Sequence, residues 1–227
     1  MWNKYVMEIK KDGYIKYISH LDMVKLFKNA FKKAEIKLAF SQGFNPHPKM
    51  GFAQPLSLGY ASSCEILEFE TKDNMEPSVI LEKMCNIVPR GIEIISCERS
   101  KGSKSFAART FAATYEITIP MREDIKSGVN ELCADYLKQE QIIVTKKQKK
   151  TGTQKEVDIK SMIRSLSAEV IANNIVLNAK LDSGSNSNLS PELVISSFVL
   201  FLGIGTTREE MDVKRTKLYF DNGAKKW

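Results

Sequence analysis

Cys64-Glu-Ile-Leu-Glu-Phe-Glu-Thr71, Pro77-Ser-Val-Ile-Leu-Glu-Lys-Met-Cys-Asn-Ile-Val88 and Ile92-Glu-Ile-Ile-Ser-Cys97 decide the fold of the first half of the chain. The first alternates as a strand, the second carries Pro77 where a helix tolerates it in its first turn, and the third is a strand again. Working outward, Lys4 to Lys11 is a strand with Tyr5, Met7 and Ile9 on one side and Val6 and Glu8 on the other, closed by the turn pair Asp12-Gly13. Ser19, with Asp22 three residues later, has the pattern of a capping box. Leu21, Val24, Phe27, Phe31 and Ala34 then recur at helical spacing, so Ser19 to Ala34 is a helix. Ile36 to Phe40 is a short strand. The order is β-α-β-β-α-β, the ferredoxin-like plan of a split βαβ with helices on one face of an antiparallel sheet.

Glu98-Arg-Ser-Lys-Gly-Ser-Lys-Ser105 is polar and lacks any apolar period, which marks a domain boundary. Beyond it the plan begins again. Ala112 to Ile119 is a strand, Glu123 to Lys138 a helix, and Ile142 to Lys147 with Glu156 to Ile159 a hairpin around Thr151-Gly152. Ile175 to Leu181 is a strand, Ser190-Pro191-Glu192 opens a helix that Gly203 stops, and Arg215 to Phe220 is the last strand. The expected architecture is therefore α+β: two ferredoxin-like (βαββαβ) domains side by side, over residues 1–100 and 108–227. The halves repeat in plan and share no alignable motif.

With 34 Lys+Arg against 27 Asp+Glu the net charge is +7, and it is unevenly spread. Residues 1–60 carry ten Lys and four acids, residues 61–100 four bases and eight acids, and residues 101–164 thirteen bases and eight acids. Two basic regions flanking an acidic one suit a protein that holds a polyanion by chosen faces. The longest apolar stretch, Val194 to Ile204, falls short of the roughly 20 residues a bilayer span needs, so no membrane partner is expected. Met1 to Lys11 has no signal-peptide character, and the expected location is cytoplasmic. Cys64, Cys85, Cys97 and Cys133 are too widely spaced to gather a zinc ion or an iron–sulfur cluster locally, so no metal or other cofactor is expected. Neither a GxxxxGK[ST] phosphate loop nor a GxSxG nucleophile elbow is present.

The segment from Tyr17 to Gly59 is richest in binding chemistry. Lys25, Lys28 and Lys32 share one stripe of the first helix, opposite Val24, Phe27, Phe31 and Ala34, and Lys33, Lys37 and Lys49 lie close by in sequence. The loop Ser41-Gln-Gly-Phe-Asn-Pro-His-Pro-Lys49 offers hydrogen-bonding heads at Gln42, Asn45 and His47, with Phe40, Phe44 and Phe52 interleaved. Bases among exposed rings are how splayed RNA is held. His20, Asp22 and His47 form a candidate acid–base site if the loop crosses the helix start. Lys146, Lys147, Lys149, Lys150 and Lys155 cluster at the hairpin tip as a second phosphate-binding candidate.

Tyr17-Ile-Ser-His-Leu-Asp22, the lysine-rich helix after it, Phe40-Ser-Gln-Gly-Phe-Asn-Pro-His-Pro-Lys49, Gly51-Phe-Ala and Pro55-Leu-Ser-Leu-Gly59 together resemble the radical-SAM-linked protein family, a bacterial domain of unknown function. The likeness extends more loosely through Lys155-Glu-Val-Asp158-Ile-Lys160 and Arg215 to Tyr219. It implies a radical SAM protein with a cobalamin-binding-like region as partner. Gene neighbours typical of the family, ribosomal proteins and an RNA-processing nuclease, point to RNA. This chain lacks CxxxCxxC, so any radical chemistry would take place on the partner. Positions that are mostly arginine in such relatives are lysine here, at Lys25, Lys28, Lys32 and Lys33, which keeps the charge and loses the bidentate fork.

The expected role is that of a non-catalytic RNA-binding accessory presenting tRNA or rRNA to a radical SAM modification enzyme. The first helix, the Ser41 to Lys49 loop and the Lys146 to Lys155 hairpin would share a basic face. An enzyme acting on nucleotide or RNA through His20, Asp22 and His47 is one alternative. A module that docks on the radical SAM partner is the other.

Overall fold

The structure, a computed structural model, describes residues 3–121, 128–147 and 153–221. The chain packs as two compact units, one running up to Thr110 and resuming at Lys217, the other Phe111–Thr216. The final strand, expected wholly in the second half, thus contributes its last residues to the first unit.

In the first unit the order is β1 (Asn3–Lys11), a 3-10 turn (Gly13–Tyr17), α1 (His20–Lys33), β2 (Met50–Phe52), β3 (Ala61–Thr71), α2 (Pro77–Cys85), β4 (Ile92–Arg99) and the short α3 (Phe106–Arg109). β4, β1 and β3 are neighbours in that order and β2 pairs with β3, every pairing antiparallel. This is the 4-1-3-2 order of the ferredoxin-like plan. Alternation along the strands sends Tyr5, Met7, Ile9, Leu67 and Phe69 into one apolar core with Met23, Phe27 and Phe31 of α1 and Ile80 and Met84 of α2. Lys4, Glu68 and Glu70 fall on the opposite side.

Ser19 caps α1: its Oγ accepts from the Asp22 amide at 3.2 Å, and its hydroxyl donates to Asp22 Oδ2 at 2.7 Å. At the other end Glu35 takes φ 58°, and Ile36 N and Glu35 N donate to Phe31 O and Lys32 O, a Schellman closure built on a residue other than glycine. The helix buries Met23, Phe27, Ala30 and Phe31. Leu21, expected on that stripe, is 70% exposed, because the buried face is centred toward Met23 and Ala30.

The strand expected at Ile36 to Phe40 is one end of an interrupted edge. Ala39 N donates to Glu70 O and Lys72 N to Lys37 O, but only isolated bridges form there, Leu38 with Thr71 and Phe40 with Pro48. After the excursion the chain returns to the same edge. Glu70 N donates to Lys49 O, and Met50 to Phe52 forms the regular strand.

The second unit holds β5 (Thr110–Pro120), α4 (Val129–Lys138), the hairpin β6 (Ile143–Lys147) and β7 (Gln154–Asp158), β8 (Ile163–Ile171), β9 (Asn174–Asp182), α5 (Pro191–Leu202) and the first part of β10 (Asp212–Phe220). Its sheet runs β10-β5-β9-β8, and the β6-β7 pair forms a separate two-stranded sheet. With that hairpin set aside as an insertion, the order is again 4-1-3-2. Tyr136 of α4 packs edge-on against Phe198 of α5 at 5.2 Å and shares a hydrogen bond with Ser197 Oγ. Gly203, in the left-handed region at φ 67°, ends α5. β8 matches no element expected from the sequence, although Leu166, Ala168 and Val170 alternate with Ser165, Ser167 and Glu169; only Ile163 and Ala168 are buried. Residues 123–127 of the expected helix lie outside the described residues.

None of the four cysteines is in a disulfide. Burial pushes the Cys97 thiol up to about 12 and the Cys133 thiol up to about 11, which keeps both protonated and unreactive. Among the described residues no helix is long and apolar enough to cross a membrane.

Candidate nucleic-acid interface

The excursion from the sheet edge is a loop with a closed neck. Ser41 N donates to His47 O at 2.8 Å, His47 N to Ser41 Oγ at 2.9 Å, and Lys49 N to Ala39 O at 2.8 Å. Gly43 takes φ 127°, a conformation that L side chains rarely adopt. The neck bonds satisfy the base of the loop and leave its contents outward. Gln42, Asn45 and His47 are exposed, and their side chains make no hydrogen bond among the described residues. Phe44 is fully exposed, at 112% of its reference area. A Phe left in water forgoes about 1.5–3 kcal/mol of burial.

The helix lysines form an open cationic face. Lys25, Lys32 and Lys33 are exposed and Lys28 is half-buried. Lys25 lies 3.6 Å from Asp22 in a solvent-exposed pair, and such pairs hold their partners weakly. Lys28, Lys32 and Lys33 make no ion pair among the described residues. Lys49 is placed differently. Its Nζ sits 2.8 Å from Glu70 Oε2, with Lys4 Nζ 3.9 Å from the other oxygen. Glu70 alternates with Phe69, which packs toward α1, so Lys49 belongs to the opposite side of the sheet from the helix. The structure thus groups Lys25, Lys28, Lys32 and Lys33, and separates Lys49 from them.

His20, Asp22 and His47 do not meet in a hydrogen-bonded constellation. The His20 ring packs edge-on against Phe52 at 5.8 Å and, with Lys11, Met23, Leu56 and Glu65, borders a cavity of about 10 Å³, room for about one water. Asp22 faces outward, and the Ser19 hydroxyl, followed by Lys25, holds its carboxyl below the usual aspartate value. The His47 ring stands exposed in the loop. Among the described residues no group of three or more His, Cys, Asp or Glu is placed to hold a metal ion. Lys11 and Glu65, only 2% and 3% exposed, are polar residues that sequence reasoning passed over. Their signal was phase: Lys11 continues Tyr5, Met7 and Ile9, and Glu65 precedes Leu67 and Phe69 on the core side. Lys11 Nζ donates to Ile18 O at 3.1 Å, just ahead of the α1 cap.

In the second unit Lys146 stands directly across from Lys155, and both are exposed. Like charges in cross-strand register repel, and a polyanion would relieve that repulsion. Lys147 pairs with Gln154 through its backbone; its side chain, together with Lys149 and Lys150, lies outside the described residues. Asp158 anchors the hairpin base, Oδ1 accepting from Lys160 N at 2.9 Å and Ile142 N at 3.0 Å. These bonds, that from Lys160 first, hold its carboxyl below the usual aspartate value. A depressed native value means the anchoring is fully present above the unfolded value of about 3.9 and is lost as pH falls through the lower native one. Asp158→Ala is expected to speed amide exchange at Ile142 and Lys160 near neutral pH. Unchanged rates would rule out this anchor.

Fold and surface together define an α+β protein of two ferredoxin-like units that presents a closed-neck aromatic loop and a lysine-faced helix. The family described as "Uncharacterized protein conserved in bacteria (DUF2344)" matches residues 4–191, and the chain belongs to that family. No curated protein matches it. Among solved structures, a Cbf5-Nop10-Gar1 complex aligns with TM-score 0.52 and 10% identity over 96% of this chain and 50% of that one. The chain therefore spans about half the length of that relative, and the likeness is one of fold. A structure of an unknown protein from Galdieria sulphuraria aligns with TM-score 0.28 and 14% identity, over 95% of this chain and 99% of that one.

Proposed function

We propose that the protein is an RNA-binding accessory that presents a single-stranded or splayed part of tRNA or rRNA to a radical SAM modification enzyme. The single observation that carries the RNA reading is the Ser41 to Lys49 loop, with Phe44 wholly in solvent beside three unengaged polar heads. An aromatic ring stacks on any base, while Gln42, Asn45 and His47 have donors and acceptors for base edges or ribose. Lys25, Lys28, Lys32 and Lys33 would supply sequence-independent attraction for phosphate, and Lys146 and Lys155 a second attachment of the same kind. The radical SAM partner rests on the resemblance of the sequence motifs alone.

Fluorescence anisotropy with a labelled mixed-sequence single-stranded RNA tests this surface. Phe44→Ala is expected to weaken binding by about 1–3 kcal/mol, the usual worth of one stacked base, with the salt dependence unchanged. Neutralising Lys28 and Lys32 together should flatten the salt slope by about 0.7 for each phosphate that is no longer neutralised. An affinity that ignores both changes would exclude this surface. The partner is tested by affinity capture after nuclease treatment, where failure to retain a radical SAM protein would remove that half of the proposal.

A further inference from the structure

The side of the first unit's sheet turned away from α1 and α2 bears a groove of about 290 Å³. Glu68 and Glu70 of β3 line it, together with Lys4, Lys49, Gly51 and the segment from Ser100 to Ser105. Strand register sets Gly51 across from Glu68, on the groove side, while Met50 and Phe52 on either side of it turn into the core. Gly51 is not in the left-handed region, and a Cβ added to it would meet no atom within 4 Å. Neither backbone geometry nor packing asks for glycine here, and glycine weakens a strand. Close approach by a ligand or another backbone is one of the reasons a strand keeps a glycine.

The groove's polar groups narrow what that is. Glu70 is occupied by Lys49 at 2.8 Å and Lys4 at 3.9 Å. Glu68 accepts one bond, from Phe106 N to Oε2 at 2.7 Å, and its Oε1 accepts none among the described residues. Burial raises the Glu68 carboxyl above its usual value, opposed by that amide, Lys4 and Arg109. A partly desolvated carboxylate short of donors thus stands beside ammonium groups. A guanidinium would satisfy the carboxylate but would add positive charge to a site that already holds Lys4, Lys49 and Lys104, with Arg109 acting on Glu68. A flat neutral group with two adjacent N–H donors and a neighbouring acceptor would satisfy Glu68 without adding charge and would offer a lysine an acceptor. Among the common bases only guanine has that edge, with N1–H and N2–H₂ beside O6.

We infer that this groove receives a guanine base, with Glu68 accepting from N1–H and N2–H₂, a lysine donating to O6, and the missing side chain of Gly51 leaving room for the ring. The inference deepens the RNA reading and rests on it for the source of the base. Calorimetric titration with guanosine, inosine and cytidine 5′-monophosphates tests it separately from RNA binding. Guanosine monophosphate is expected to bind roughly tenfold or more tightly than the other two, inosine failing because it lacks N2. Gly51→Val should abolish that preference while leaving the melting temperature equal or higher, since β-branched residues favour strands. Gly51→Ala, a smaller change, guards against misfolding, and Glu68→Gln should lose the preference without filling the groove.

Equal affinity for the three nucleotides, no binding at millimolar concentration, indifference to Gly51→Val, or preferential binding of N-acetyl-arginine amide would each overturn the inference. If single-stranded RNA binds and responds to Phe44→Ala while guanosine shows no advantage, the groove assignment falls and the RNA reading stands. If guanosine monophosphate binds as described and RNA does not bind, the RNA reading falls and the groove stands as a mononucleotide site.

Discussion

Phe69→Ala is expected to destabilise the first unit by about 3–5 kcal/mol, the usual cost of emptying a fully buried aromatic position. Phe69 is 2% exposed, stacks on Tyr5 with ring centroids 5.4 Å apart, and leans on Phe31 at 4.7 Å. It is the point where β1, β3 and α1 meet. Its strand neighbours Glu68 and Glu70 point the other way into the groove, so a slackened core would also blur their positions. Urea unfolding measures the loss as a shift of the midpoint at unchanged slope. Phe69→Leu, which keeps most of the volume, should cost less than half as much. A loss below about 1 kcal/mol for the alanine variant would mean that the aromatic cluster is not what holds this sheet to its helices.

Gly91→Ala is expected to cost about 2–5 kcal/mol, from two sources that can be separated. Gly91 lies in the left-handed region at φ +95°, and a Cβ there would come within 2.7 Å of Asp12 O and 3.0 Å of Ile15 Cγ1. The conformational part is about 1–2 kcal/mol. The steric part, like other overpacked sites, adds about 1–3 kcal/mol. Gly59 provides the control, since it has a similar φ of +83° with nothing within 4 Å of an added Cβ. Gly59→Ala should therefore show the conformational cost alone. The extra penalty at Gly91 would be transmitted through the bond from Asp12 N to Gly91 O, at 2.9 Å, to the turn that leads into the α1 cap. Equal losses at the two glycines, measured by urea unfolding, would show that the close approach relaxes freely.

Local rules made most of the first unit legible. Ser19 announced α1, Pro77 announced α2, and alternation identified β1, β3 and β4. The errors share one cause, which is that a strand's partner and face are decided by residues far away in sequence. Ile36 to Phe40 has strand composition, yet the regular pairing falls at Met50 to Phe52 because β3 is the template and the chain leaves and rejoins it. β8 is held in place by β9 and buries little of its own apolar content. Glu35 closes α1 in a conformation that composition assigns to glycine.

The candidate site was legible as chemistry and not as arrangement. The loop was found because its residue types are unusual, and its side chains do stand in solvent. Lys49 was grouped with the helix lysines by nearness in sequence, whereas period-two geometry turns it to Glu70. Gly51 enters the sequence reading only as part of a motif, because a strand glycine acquires meaning only when its register partner is known to be Glu68. Lys11 and Glu65 lay in phase with apolar neighbours, but a rule that expects only hydrophobic residues at such positions passes over them.

The bonds at the neck of the Ser41 to Lys49 loop use the main chain at Ala39, Ser41, His47 and Lys49 and one hydroxyl, that of Ser41. The tip is in effect a cartridge seated in a fixed socket. Substitutions at Gln42, Phe44 and Asn45 change what the tip presents and leave the bonded neck intact, whereas Gly43 is fixed by its φ of 127°.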